Sequence, residues 1–207
     1  GTFDHYPKRI IMKKIILLAQ FALVFSIVTF ARVLKPDQRT METKIADFSM
    51  KIPAQSSADH DKLMAELSEM GEPAIAIFAA NLVAPGQGND LVSRYAISGL
   101  VKYLSKGIDK EKIKICSNAL CKSIGNSKDD EVKDFLLQEL QYVAGDESVA
   151  SVRSLLLNER LCDPAARVLV RINSDLSNLA LMEALPTASL QQQLILIEAL
   201  GQTGYLP

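Results

Sequence analysis

Histidine is almost missing from this chain. Its 207 residues hold two, His5 and His60, and no tryptophan. A Ser-His-Asp or Cys-His nucleophilic site would have to be built on one of these two imidazoles, and a histidine-rich metal site cannot be built at all. Lack of tryptophan argues against a sugar-stacking platform, which needs large aromatic faces. Only three cysteines are present, Cys116, Cys121 and Cys162. The number is odd, so at least one thiol is free. Cys116 and Cys121 lie five apart on one expected helix and so face different ways, a poor geometry for a disulfide and not a metal-ligand spacing. They read as small buried hydrophobes. A Cys162 bridge to a neighbouring molecule is left open.

Proline (8) and glycine (10) are also few, and they sit between segments of helical periodicity. No convincing run alternates in the manner of a strand. Apolar residues make up 48% and charged residues 23%, enough to build a core and too many to leave the chain disordered. The expected class is all-α.

At the front, Met12-Lys13-Lys14 precedes an apolar run from Ile15 to Phe30 that ends Thr29-Phe30-Ala31. A basic start, a short apolar middle and small residues before a cut make a secretory signal peptide over 12–31, cleaved after Ala31. The run is shorter than the roughly 20 residues a membrane span needs. No cysteine stands directly after the cut, where a lipid would be attached. Residues 1–11 then lie upstream of the true start, and the mature product is exported to the periplasm or exterior of a Gram-negative bacterium, with no membrane attachment after cleavage. Residues 1–31 contain Lys8, Arg9, Lys13, Lys14 and Asp4. The 23 basic residues become 19 and the 24 acidic ones 23, a net charge of −4. That sign argues against a nucleic-acid partner.

Residues 32–56 read as a lead-in. Met41, Ile45, Phe48 and Ile52 recur at helical spacing, predicting a short helix that lays Phe48 over the next element. From Ser57 onward short amphipathic helices follow one another. Leu63, Met64, Leu67 and Met70 form the first stripe; Gly71 stops it and Pro73 opens a partner. The loop Ala84-Pro85-Gly86-Gln87-Gly88 lacks the Lys-Ser/Thr and the preceding strand of a phosphate cradle, so it reads as a helix–helix loop ending in an Asn89 cap. Later helices are expected to bury Leu91, Tyr95, Ile97, Leu100, Val101 and Leu104; Ile113, Cys116, Leu120 and Ile124; Val132, Phe135, Leu136, Leu140 and Val143; and Val149, Val152, Leu155 and Leu156. Tyr103 and Tyr142, like Tyr95, fall at core or near-core positions. Ser127 with Asp130, Asp163 before Pro164, Ser174 and Thr187 are the expected helix starts. Val168, Leu169 and Ile172, then Leu176, Leu179, Ala180 and Met182, then Leu190, Leu194, Ile197 and Leu200 are the expected inward stripes.

A unit recurs through these helices: Gly99-Leu100 with Tyr103, Glu139-Leu140 with Val143, Val168-Leu169 with Ile172, Ala199-Leu200 with Thr203. With the DPAAR opening and the ALGQTG ending, this part of the chain resembles HEAT-type repeats, two helices to a unit of roughly 40 residues. The resemblance covers 57–204 and departs from the pattern in its uneven spacing and a shortened third unit. It implies an α-solenoid of about four to five stacked antiparallel helix pairs over 57–207. Because the last unit stops after one helix, the natural chain is expected to continue past Pro207.

No residue stands out as catalytic, cofactor-binding or metal-ligating; His60, beside Asp59 and Asp61, reads as an exposed imidazole, and Asp129-Asp130-Glu131 as acids at a helix start. The expectation is a non-catalytic scaffold holding a protein or an extended polymer through its second helices, by Lys110, Lys114, Asn118, Lys122, Ser148, Ser151 and Asn178. PGQGND and LCDPAARVLVRI also look like the helical front part of secreted Bacteroidetes proteins, some of which carry a C-terminal 3-keto-disaccharide hydrolase domain. That likeness implies the alternative, an accessory module of a carbohydrate-active hydrolase with the catalytic domain in cis. A chain begun at Met12 and produced in a Gram-negative host should be recovered from the periplasm with Arg32 as its first residue, by N-terminal sequencing; a product retaining Ile15–Phe30 would show an anchor instead.

Overall fold

A computed structural model describes residues 37, 39–107 and 109–205. The expected signal peptide and upstream segment lie outside the described residues. The described residues divide into two units, one ending at Thr40 and one beginning at Met41. In the first, the Arg39 guanidinium bonds the Asp37 carboxylate at 2.8 Å. The second is all helix among its described residues: α1 (Met41–Ser49), α2 (Ser57–Ala80), α3 (Leu91–Leu104), α4 (Lys110–Asn126), α5 (Asp130–Leu140), α6 (Val149–Arg153), α7 (Cys162–Ile172), α8 (Asp175–Ala184) and α9 (Leu190–Thr203). Short 3₁₀ turns, Asp146–Ser148 and Leu185–Thr187, precede α6 and α9. No described helix is long and apolar enough to cross a membrane.

α2 is two helices meeting at Gly71, whose φ of 65° and ψ of −152° break the spiral before Pro73. A positive φ suits glycine, and a proline two residues on cannot donate to the turn behind it. Side-chain caps define most starts. Ser56 accepts from the Asp59 N–H, Asp109 from Glu111 and Lys112, and Asp129 from Glu131 and Val132. Ser174 with Ser177 and Ser189 with Gln192 form reciprocal capping boxes.

Several expected starts move. Asp129, not Ser127 with Asp130, caps α5, because an Asx side chain one residue before the helix reaches two orphan N–H groups. Ser189, not Thr187, caps α9; Thr187 is taken up in the 3₁₀ turn and donates to the Ala184 carbonyl. Asp163 lies inside α7 and pairs with Arg167 at 2.8 Å, while the Asn158 side chain accepts from the Arg160 and Leu161 N–H groups ahead of it. Asn89 accepts only from Leu91, and Asp90 holds the capping position. Asp90 instead clamps the preceding loop: its carboxylate takes the Val83 N–H at 3.0 Å and the Arg94 guanidinium at 2.9 Å. Arg94 also donates to the Val83 carbonyl at 3.1 Å and stacks over Phe135 on α5, 4.5 Å from the ring centre.

Packing runs between helices close in sequence. α2 packs on α3 and α4, α4 on α5, α5 on α7, α6 on α8, and α7 on α8 and α9. The four leucines of the recurring unit, Leu100, Leu140, Leu169 and Leu200, are all buried. Phe48 of α1 is sealed against Phe78 of α2, ring centres 5.6 Å apart, as its spacing predicts. Other inward expectations fail. Leu91, Leu176, Leu179, Leu190, Leu194, Ile197 and Tyr142 are exposed; Leu181 of α8 and Leu196, Ala199 and Gln192 of α9 are buried in their place. α9 reads LQQQLILIEALGQT and carries two apolar stripes, so periodicity alone could not select the buried one.

At Gly99 α3 lies close against side chains of α2. A Cβ there would lie 2.7 Å from the Met64 sulfur and 3.0 Å from Nε2 of His60. By contrast Gly125 of α4 has open space around it. Gly99→Leu should therefore destabilise the fold by about 1–3 kcal/mol, while Gly125→Ala should be neutral or stabilise by up to ~1 kcal/mol. Urea unfolding midpoints of the two variants check this; equal midpoints would remove the close approach.

Candidate binding surface

α4 carries Lys110, Lys114, Asn118 and Lys122 four residues apart, so they form one line along the helix. All four are exposed. Lys122 reaches back to Glu72 of α2 at 2.7 Å, and Lys112, beside the line, pairs with Glu69. The Lys112 ammonium is held above its usual range by that carboxylate. Lys110 and Lys114 make no ion pair with a described residue. At its far end Lys122 lines a groove of about 330 Å³ between the second half of α2 and α4. Ala76, Ala79, Leu82 and Ala119 supply its apolar part, and Glu72, Lys122, Ser123 and Asn126 its polar part.

Three other expected surface residues do not all join this line. Ser151 is exposed on α6. Ser148 is fully buried, its hydroxyl 2.7 Å from that of Ser117 on α4. Asn178 is buried as well, and its Oδ1 has no hydrogen-bond partner among the described residues. Both were expected to face outward because polar residues usually do; each instead lies where its helix meets its neighbours. A second groove, of about 360 Å³, runs between α7 and α9 and is lined by Arg167, Arg171, Val170, Ile195, Glu198 and Gln202.

Chemistry of the reactive kind is poorly supplied. His60 is not the free imidazole expected. It is three-quarters buried, edge-on to Tyr95 at 5.8 Å between ring centres, with Nδ1 3.6 Å from Asp61. Asp61 is itself bonded by Lys106, which holds its carboxyl below the ordinary range. The hydroxyl of Tyr95 accepts from the Ala54 N–H. The imidazole thus acts as packing between α2 and α3.

The three thiols are free and buried. Burial, with the Glu139 carboxyl adding to it, pushes Cys116 up to about 12, and burial pushes Cys162 up to about 11. Cys121 also rises through burial, partly offset by the hydroxyls of Ser148 and Ser151. None is poised as a thiolate nucleophile near neutrality. Cys162 is wholly covered, so the bridge to a neighbour left open by the sequence has no accessible sulfur. Among the described residues no three His, Cys, Asp or Glu side chains group to hold a metal.

Glu139 escaped the sequence reading. It is half-buried between α5 and α3, and the Ser98 hydroxyl donates to it at 2.5 Å. Nothing in DFLLQELQYV marks one acid as buried; only the approach of α3 decides it.

No protein family matches the chain, and neither a curated protein nor a solved structure is significantly similar to it.

Burial raises the Glu139 carboxyl above its usual range, and the Ser98 bond only partly offsets this. Its ionised form therefore costs the folded state. The stability contributed by this group is full below the unfolded-chain value and is lost as pH rises through the folded one. Glu139→Gln should gain on wild type as pH rises from about 4.5 to 8. Urea unfolding of both proteins across that range tests it, and a constant difference would place the carboxyl in water.

Proposed function

We propose that the chain is a segment of an α-solenoid of the HEAT type, exported, acting as a non-catalytic scaffold whose second helices hold a partner. Support for the repeat comes from register. The bonds Ala54–Tyr95 and Ser98–Glu139 each join residues 41 apart, close to the roughly 40-residue unit of such repeats. First helices α3, α5, α7 and α9 pack in series, and so do the second halves of the pairs. Each pair shelters its neighbour and little else, the economy of a one-dimensional stack.

The observation that carries the binding role is the line on α4. Lys110 and Lys114 are exposed cations in line with Lys122, which itself lines a groove of small apolar residues. A long helix face with two open ammonium groups suits a partner bearing carboxylates, either an acidic protein segment or an acidic polymer. Such contacts are screened by salt, so the affinity should fall as ionic strength rises.

The experiment is capture from periplasm with the full chain and with a Lys110→Glu/Lys114→Glu variant. A partner retained by wild type, eluted by salt and reduced at least tenfold with the variant is the expected result. Equal recovery on both proteins would overturn the assignment of this face.

A further inference from the structure

A third hollow, of about 610 Å³, lies along the first two turns of α3 and shares no lining residue with the α4 groove. Leu91 and Val92 of α3, with Ile52 and Pro53 of the loop between α1 and α2, supply its apolar lining. Its polar lining is rich in uncommitted donors. The Tyr95 hydroxyl accepts from the Ala54 N–H at 3.1 Å, and its own proton goes to no described residue. Asp90 takes the Nε edge of Arg94 and the Val83 carbonyl takes Nη2, which leaves Nη1 without a bond to a described residue. Asn89 accepts through Oδ1 from the Leu91 N–H, which leaves its Nδ2 group. Against these three donors stand the lone pairs of Ser98, whose proton is spent on Glu139.

We propose that this hollow is a binding site for a small straight-chain monocarboxylic acid, its apolar body on Leu91, Val92, Ile52 and Pro53 and its carboxylate at Tyr95 and Arg94. Three observations select that ligand. The volume falls within the roughly 300–1,000 Å³ of small-molecule sites, and the lining is of their kind, mostly apolar with a few polar groups. A carboxylate only accepts, so it matches a donor set, and a guanidinium never gives up its protons. An alcohol of the same length brings a donor of its own and forgoes the charge-assisted bonds. The donors are also held in place beforehand. Phe135 lies under the guanidinium, 4.5 Å from ring centre to Cζ, and the Ala54 bond fixes the Tyr95 hydroxyl, so little ordering remains to oppose binding. Asp90 already balances the Arg94 charge. Selection therefore rests on directed donors rather than on net charge, unlike the lysine line on α4.

The test is equilibrium dialysis of the full chain against labelled octanoate and 1-octanol. Octanoate should be retained, and 1-octanol should bind at least tenfold more weakly, the loss expected of a hydrogen bond to a charged group. Tyr95→Phe keeps the ring and removes the hydroxyl; it should bring octanoate down to the level of 1-octanol. Leu91 is 71% accessible and so takes little part in the core. Leu91→Ser should weaken both ligands several-fold while the helical circular dichroism and the melting temperature stay unchanged, which keeps the test valid if Tyr95→Phe unfolds. Four outcomes would each overturn the proposal. They are no retention of octanoate up to about 1 mM, equal binding of 1-octanol, retention of a peptide ending in leucine where octanoate is not held, and octanoate binding lost in Lys110→Glu/Lys114→Glu but kept in Leu91→Ser.

Discussion

Burial of leucine-rich stripes between successive helices is the constraint on which the rest of this structure depends. Most of the helices are 5 to 17 residues long, lengths at which an isolated helix is marginal in water. Each buried leucine contributes about 1.5–3 kcal/mol of transfer free energy, and Leu100, Leu136, Leu140, Leu169 and Leu181 all have almost no exposed surface. The polar contacts between helices are of a different rank. Lys106–Asp61, Lys122–Glu72 and Arg153–Glu183 are exposed pairs, and such pairs are worth at most about 1 kcal/mol. They report the register of the helices more than they enforce it.

Two departures from this rule have structural roles. Arg94 is partly buried, and it ties a loop, a helix start and an aromatic ring together through Asp90, the Val83 carbonyl and Phe135. Burial alone would lift the Asp90 carboxyl, but the Arg94 guanidinium and the Val83 N–H together outweigh it and keep the group ionised. Glu139 lacks such a cation. With one hydroxyl as its partner, it is shifted the opposite way. The same residue class is thus fixed as an anion at one helix contact and pushed toward neutrality at another, by the presence or absence of a guanidinium.

Among the described residues the chemistry-bearing side chains fall apart from one another. His60 packs against Tyr95, and the thiols are placed at helix–helix contacts. What the surface offers is shape and charge: lysines along α4 and small side chains in the groove that Lys122 lines. Those are the features on which the proposed binding role rests.

The sequence by itself determined the all-helical class, the break at Gly71-Glu72-Pro73 and the covering role of Phe48. Each is written in local terms, as periodicity, a residue able to take positive φ, or an aromatic at the right phase. It also placed Ser174 as a cap, because a hydroxyl before an amphipathic run has one obvious use. Tertiary structure alone decided which stripe of α9 turned inward, that Ser148 and Asn178 would be covered, and that Glu139 would be desolvated. The reason is physical. Local pattern fixes what a helix can bury, but a helix with two apolar faces, or a polar residue at a contact, is assigned its environment only by the neighbour that arrives.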